Sequence, residues 1–341
     1  MTKISIDNRV NLDIVRIFAA FMVLTVHVGQ AVGFNASIGA YGVQLFFVLS
    51  GYLICFSLEK NNLKVYIKRR VQRIIPTYWI VLILMYMWDV IRYSQSMPLA
   101  AVFKGPCSIH YLRYFLFLQL IIPSGDWGLW NNRNGLWTLS CFAVFYLLAP
   151  IVYRVFNKFW KSLFALFFLL LITPLLKIGI ENALGGIFPD SAMLFSKHNP
   201  LTNLYCFFFG IVIYYSKKEK KMHWYSFVLF IILIITSGKW YFYEIVFTLL
   251  IVFMSLCAPL ILNRNWQKKL AYVSERTYAL YLCHPLVIQM MNIIAKKTGL
   301  ENITYLNTIL TFLAVFLSTY CIDAFIRLLV SKLTIFYKTK A

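Results

Sequence analysis

Arg16 and His27 are the two residues whose types and spacing best suit chemistry. Both fall in "LDIVRIFAAFMVLTVH" (12–27), an apolar run of the kind that crosses a bilayer. At about 100° per residue the step between them ends about 20° beyond three full turns. On a helix they therefore share a face, about 16 Å apart along the axis. Asp13 precedes Arg16 by one turn and is a candidate partner for it. Ionisable residues inside a span normally face a bundle interior or a wet cavity, which makes them functional candidates. The plainer readings are an Arg16 that snorkels to head groups beside Asp13, and a His27 hydrogen-bonded to a neighbouring helix. Two such residues on one face favour a track running from one membrane surface into the interior. A neutral imidazole there has the chemistry of a general base or of a nucleophile.

Other side chains join these two. Arg69, Arg70 and Arg73 lie in "RRVQRIIPTYW" (69–79), at the end of a basic loop over 58–73 that also holds Lys60, Lys64 and Lys68. Arginine forks suit phosphate oxygens better than lysine point charges do, although membrane topology alone accounts for Lys60 and Lys64. Ser50, in "LSGYL", invites a nucleophile reading. Its expected depth differs from that of His27 by roughly 10 Å, so Ser50 and Gly51 read as small residues that let helices approach. His284, before Pro285, either completes a cavity or makes a structural hydrogen bond in a kinked helix. The five His and seven Cys form no HExxH or CxxC pattern, so neither a metal nor a disulfide is expected.

The elements that must position these groups are membrane helices. Of 341 residues 61% are hydrophobic and 13% charged, with a mean hydropathy of +0.72, well outside the soluble norm. The net charge of +21 sits between apolar runs, so it points to topology and anionic lipid head groups rather than to nucleic acid. Ten apolar segments emerge, at about 10–32, 38–57, 74–91, 135–153, 159–176, 201–216, 224–238, 241–262, 271–294 and 304–331. Lys and Arg crowd alternate connections, which places both termini in the cytoplasm. Arg276 and Arg327 join Arg16 within spans. The stretch 111–123 is apolar but short and reads as interfacial or re-entrant. A cleavable leader ending near "AVG" (31–33) is disfavoured, because Asp13, Arg16 and His27 interrupt its apolar region. The expectation is an all-α integral membrane protein, a single domain over 1–341, in the cell's inner (plasma) membrane.

"NRVNLDIVRIFAAFMVLTVH" followed by "GAYGVQLFFVLSGYLI" resembles acyltransferase family 3, whose signature is Arg or Lys, ten residues, then His, and next a GV-x-x-FFxxSG segment. "RRVQRIIPTYW" is similar to that family's Arg-x-x-Arg segment through Arg70 and Arg73. "NGLWTLSCFAVFYLLAP" (134–150) is similar to its LWSL…FY segment, with Trp137 retained. "VSERTYALYLCHPLV" (273–287) is similar to its S-x-x-x-Y-x-x-YLxHP segment, with Tyr281 and His284. The resemblance runs from about residue 7 to 330. It departs at Phe142 and Ala143, where many relatives carry acidic residues.

The resemblance implies transfer of an acyl group, most often acetyl, from cytoplasmic acyl-CoA to a hydroxyl outside. Acetyl-CoA would be a co-substrate, with no bound cofactor. His27 would be catalytic, and Arg16, Arg69, Arg70 and Arg73 would hold the donor. Asp13, Ser50, Trp137, Tyr281 and His284 would support them. Some relatives add an extracytoplasmic SGNH domain. This chain ends soon after its last apolar segment, so the expected acceptor is a lipid-linked or surface saccharide that comes to the membrane. The oligomeric state is left open. The opposing classes are a polytopic transporter, for which no inverted repeat is found, and a non-catalytic component of polysaccharide export.

Overall fold

The computed structural model describes residues 8–105, 107, 111–121, 136–189, 191–235, 241–256 and 262–338. All regular structure among them is helical. Ten helices carry the architecture: α1 (Asn8–Val32), α2 (Gly42–Lys60), α3 (Leu63–Ser94), α4 (Trp137–Val155), α5 (Phe159–Gly185), α6 (Leu204–Lys218), α7 (Met222–Ile235), α8 (Phe242–Leu256), α9 (Arg264–Thr298) and α10 (Thr304–Lys338). Each of the ten expected segments falls on one of them. Among the described residues seven helices are long and apolar enough to cross a membrane, while α6, α7 and α8 run for 15, 14 and 15 residues. The start of the expected segment 135–153 and the ends of 224–238 and 241–262 lie outside the described residues. The lipid-facing side of such a helix is plain on α5, where Phe164, Leu171 and Leu175 stand exposed on the protein surface. The protein is an all-α, multi-pass membrane protein.

One boundary differs in a way that matters. The basic stretch expected as a loop over 58–73 is helical from Leu63 onward. Asn62 caps it by accepting the Val65 N–H at 2.9 Å, and α3 then runs through Pro76 to Ser94. Arg70 and Arg73 thus sit one turn apart on one helical face instead of on a flexible connection. Likewise α9 starts at Arg264, before the expected 271. Asn263 accepts the Trp266 N–H at 2.9 Å, and the helix ends at the left-handed Gly299 (φ 73°).

Close approach between helices is concentrated where α2 crosses α6. A Cβ on Gly51 would strike the Phe207 carbonyl, and one on Gly210 would strike the Val48 carbonyl. Small residues let two backbones meet in this way. The expected role of the Ser50–Gly51 pair therefore falls to Gly51. The charges expected inside spans are paired: Arg276 meets Asp323 at 3.0 Å, and Arg327 meets Asp323 at 2.8 Å and Glu275 at 3.7 Å, joining α9 to α10. Of the stretch 111–123, Leu112–Phe115 is a short helix and residues 122 and 123 lie outside the described residues. It lies against α3 and α4, where Tyr78 Oη donates to the Tyr114 carbonyl (2.7 Å) and Ser140 Oγ to the Phe117 carbonyl (2.8 Å).

Candidate active site

The site is built on the α1–α9 interface, one of the closest helix pairs in the bundle. On α1, Asp13, Arg16 and His27 share the face predicted from their spacing. On α9, Ser274, Thr277, Tyr278 and Tyr281 follow the i, i+3, i+4, i+7 pattern of a single face, which His284 extends by one more turn. Two polar stripes therefore oppose each other within an otherwise apolar bundle.

At the Arg16 end the stripes are tied by a closed triangle of bonds. Arg16 Nη1 donates to Asp13 Oδ1 at 3.0 Å and to Ser274 Oγ at 2.8 Å, while Ser274 Oγ donates to Asp13 Oδ1 at 2.6 Å. Asp13 and Ser274 are buried. Asp13 is the partner that the one-turn spacing predicts. Ser274 was visible only as the first letter of a family segment. A carboxylate and a hydroxyl that both hold one guanidinium fix its direction and leave its remaining N–H groups to point elsewhere.

Arg16 faces a cavity of about 310 Å³ enclosed by α1, α2, α3, α4 and α9. Arg70 and Arg73 enter it from the first turns of α3, and Ser50 from the middle of α2. Thr138, from the first turn of α4, and Tyr281, from the middle of α9, form a hydroxyl pair in its wall, with Thr138 Oγ1 donating to Tyr281 Oη at 2.9 Å. Arg70 is held between the rings of Tyr66 and Tyr146, at 5.4 and 4.9 Å. Among the described residues three guanidinium groups and no carboxylate line the cavity, so it favours an anionic ligand.

His27 and His284 lie beyond that wall. Their ring centroids are 4.9 Å apart with 30° between the planes, and the Tyr281 ring meets His284 edge-on at 5.6 Å. His27 is half-buried and His284 buried. Among the described residues neither ring nitrogen of His284 meets strict hydrogen-bond geometry, and the backbone carbonyls of Leu280 and Tyr281 lie close enough to interact with the ring. Its principal neighbour is His27.

The remaining candidates fall into place around this centre. Ser50 lines the cavity, while Arg69 is exposed and does not. Trp137 stacks on His198 at 4.3 Å and meets Phe47 edge-on, so its ring is already engaged. Burial, with Lys197 adding to it, pushes the His198 pKa down to about 3 and keeps that imidazole neutral. Phe142 gives the cavity wall an apolar ring, packing against Phe47 at 5.1 Å. Thr138, Tyr278 and Ser274 went unassigned from sequence. The signal that finds Ser274 and Tyr278 is the polar stripe at helical spacing on α9, read against the stripe on α1; Thr138, on α4, is not part of it.

Residues 9–327 match the family model described as an acyltransferase domain. The chain is similar to the peptidoglycan O-acetyltransferase OatA of Listeria monocytogenes, 30% identical over 45% of this chain and 25% of that protein. It is similar to Nodulation protein 10 of Rhizobium leguminosarum bv. viciae, 26% identical over 48% of each. It is also similar to the acyltransferase MdmB of Streptomyces mycarofaciens, 27% identical over 42% of this chain and 38% of that one. The matched region spans less than half the length of each relative. No solved structure matches the chain.

Proposed function

Since the chain belongs to acyltransferase family 3, its model spanning residues 9–327, we propose that it moves an acyl group, most simply acetyl, from acyl-CoA to a saccharide hydroxyl across the membrane. The observation that carries this reading is the cavity in which Arg16, Arg70 and Arg73 share a wall with Tyr281, which leads to the His27–His284 pair. With the N-terminus in the cytoplasm of the cell that bears this inner membrane protein, the arginines face the compartment that supplies acyl-CoA. Their forks suit the donor's phosphates. The donor's flexible arm extends beside α1 past Ser50 and Tyr281, and the thioester comes to rest beside His27.

His27 takes the proton of the acceptor hydroxyl as that oxygen attacks the thioester carbonyl carbon. The carbon–sulfur bond breaks, and the departing thiolate receives the proton from His27, so CoA leaves as the free thiol and the ester remains on the sugar. In the other form of this reading His27 itself accepts the acyl group before passing it on. The acceptor is a lipid-linked or surface glycan. The Listeria relative is a peptidoglycan O-acetyltransferase, which supports a glycan hydroxyl as the acceptor.

The test compares surface glycans of cells expressing the intact protein, its His27→Ala form, or neither, by mass spectrometry. The expected result is the added mass of one acyl unit with the intact protein alone. Equal acylation with the His27→Ala protein, at matched membrane abundance, would overturn the assignment of His27.

A further inference from the structure

A second cavity, of about 200 Å³, opens on the flank of the bundle between α3 and α4. The two helices do not pack closely against each other there. Its walls are apolar, with Ile67, Val71 and Ile75 from α3, Ala143 and Leu147 from α4, and Phe117 closing one end. Ile67, Val71 and Leu147 stand exposed at the rim, Leu147 at 76%. In a bilayer this slot opens toward lipid. Arg70, Ile74, Leu139, Phe142 and Tyr146 line both it and the main cavity, so these side chains form the partition between the two spaces, the ring-held guanidinium among them.

Positive charge flanks the slot. Lys64 and Lys68 lie on the α3 face of Ile67 and Val71, three to four residues apart, and Arg154 follows Leu147 by two turns on α4. All three are exposed. α3 contains no Asp or Glu before Asp89, and among the described residues no carboxylate pairs with Lys64, Lys68 or Arg154. An apolar groove flanked by three cations that no described carboxylate pairs complements a molecule with an alkyl chain and an anionic head. A free anion would need only the cations, and an uncharged or zwitterionic lipid only the groove.

We propose that the α3–α4 slot binds one acyl chain of an anionic phospholipid, whose phosphate lies among Lys64, Lys68 and Arg154. The lipid comes from the leaflet on the side where α3 begins. Its tail packs against the outer side of the Arg70–Tyr146 partition, bracing the wall whose inner side faces the main cavity. Nothing in this proposal needs an acyl donor or acceptor.

The test is native mass spectrometry of the detergent-purified chain with equimolar phosphatidylglycerol and phosphatidylcholine carrying identical acyl chains. The intact protein is expected to retain one phosphatidylglycerol with at least about tenfold preference. Ala143→Trp fills the slot and is expected to lower retention of both lipids. Val71→Trp does the same from the exposed rim and serves if the first variant fails to fold. The triple variant K64Q/K68Q/R154Q is expected to keep lipid but lose the preference. Equal retention of the two lipids by the intact protein, unchanged retention when both slot-filling variants fold, or displacement of phosphatidylglycerol by inorganic phosphate would each overturn the proposal. Because no acyl transfer is measured, either result stands apart from the fate of the His27 assignment.

Discussion

The imidazole of His284 lies 4.9 Å from that of His27, ring centroid to ring centroid, across the α1–α9 interface. Proline at 285 denies the Tyr281 carbonyl its helical donor, which loosens the backbone where the second ring projects. If His284 served only as packing, a ring of similar size would replace it. We expect His284→Phe to lose acyl transfer about a hundredfold, nearly as much as His284→Ala, because the nitrogens are what is missing in both. His284→Gln, which restores polar atoms, should recover part of the loss. The measurement is single-turnover acyl transfer in membranes at matched abundance, and a fully active His284→Phe protein would reduce the residue to packing.

The Asp13–Arg16–Ser274 triangle separates two effects that are often confounded. Removing the Ser274 hydroxyl deletes one neutral partner of two charged groups, worth about 1.5 kcal/mol or more. Ser274→Ala should therefore raise the KM for the acyl donor several-fold with kcat nearly unchanged. Asp13→Asn leaves a mostly buried guanidinium without its carboxylate, which costs more than losing the pair as a whole. Its expected signature is a lower thermal midpoint in detergent as well as a raised KM. Equal midpoints for the two variants would show that the carboxylate contributes no more than the hydroxyl.

Much of this was legible in the sequence because helical periodicity is strict. The eleven-residue step from Arg16 to His27 fixes a shared face on any α-helix, and the one-turn step to Asp13 fixes its partner. The ten apolar segments all fall on helices for the same reason, since each needs its own run of residues. What stayed hidden depends on pairing between helices. Nothing in residues 273–287 alone says that Ser274 reaches Asp13, or that His284 meets His27. The start of α3 was misplaced for another reason. A charged stretch of good helix formers lowers hydropathy without breaking the helix, and an asparagine cap at Asn62 outweighs the apolar boundary.

Arg70 offers a test of donor recognition. It is planar and lies between Tyr66 and Tyr146, so the site uses the shape of a guanidinium as well as its charge. Arg70→Lys keeps the charge but loses both the fork and the flat contact with the rings. We expect a roughly tenfold rise in donor KM for Arg70→Lys and a larger one for Arg70→Ala, with little change in kcat. Arg69, which is exposed and outside the cavity, should tolerate alanine with an unchanged KM. Equal effects at 69 and 70 would mean that net positive charge on the membrane surface, and not the cavity, governs donor use.

The α2–α6 crossing gives a prediction on stability rather than chemistry. At Gly51 an added methyl meets backbone, the Phe207 carbonyl, and not the end of a flexible side chain. Backbone cannot yield by changing rotamer, so the two helices must separate, and α2 carries Val43, Phe46 and Ser50 of the cavity wall with it. Overpacking of this kind costs about 1–3 kcal/mol. Gly51→Ala should lower the thermal midpoint in detergent and reduce acyl transfer in proportion to the folded fraction, and Gly210→Ala should do the same from the partner helix. Gly179, on α5, has open space where a Cβ would stand. Gly179→Ala should leave the midpoint unchanged or raise it, since alanine favours the helix. A Gly51→Ala protein that melts with the parent would show that the crossing can open without cost, and Gly51 would then be no more than a small residue in a wide gap.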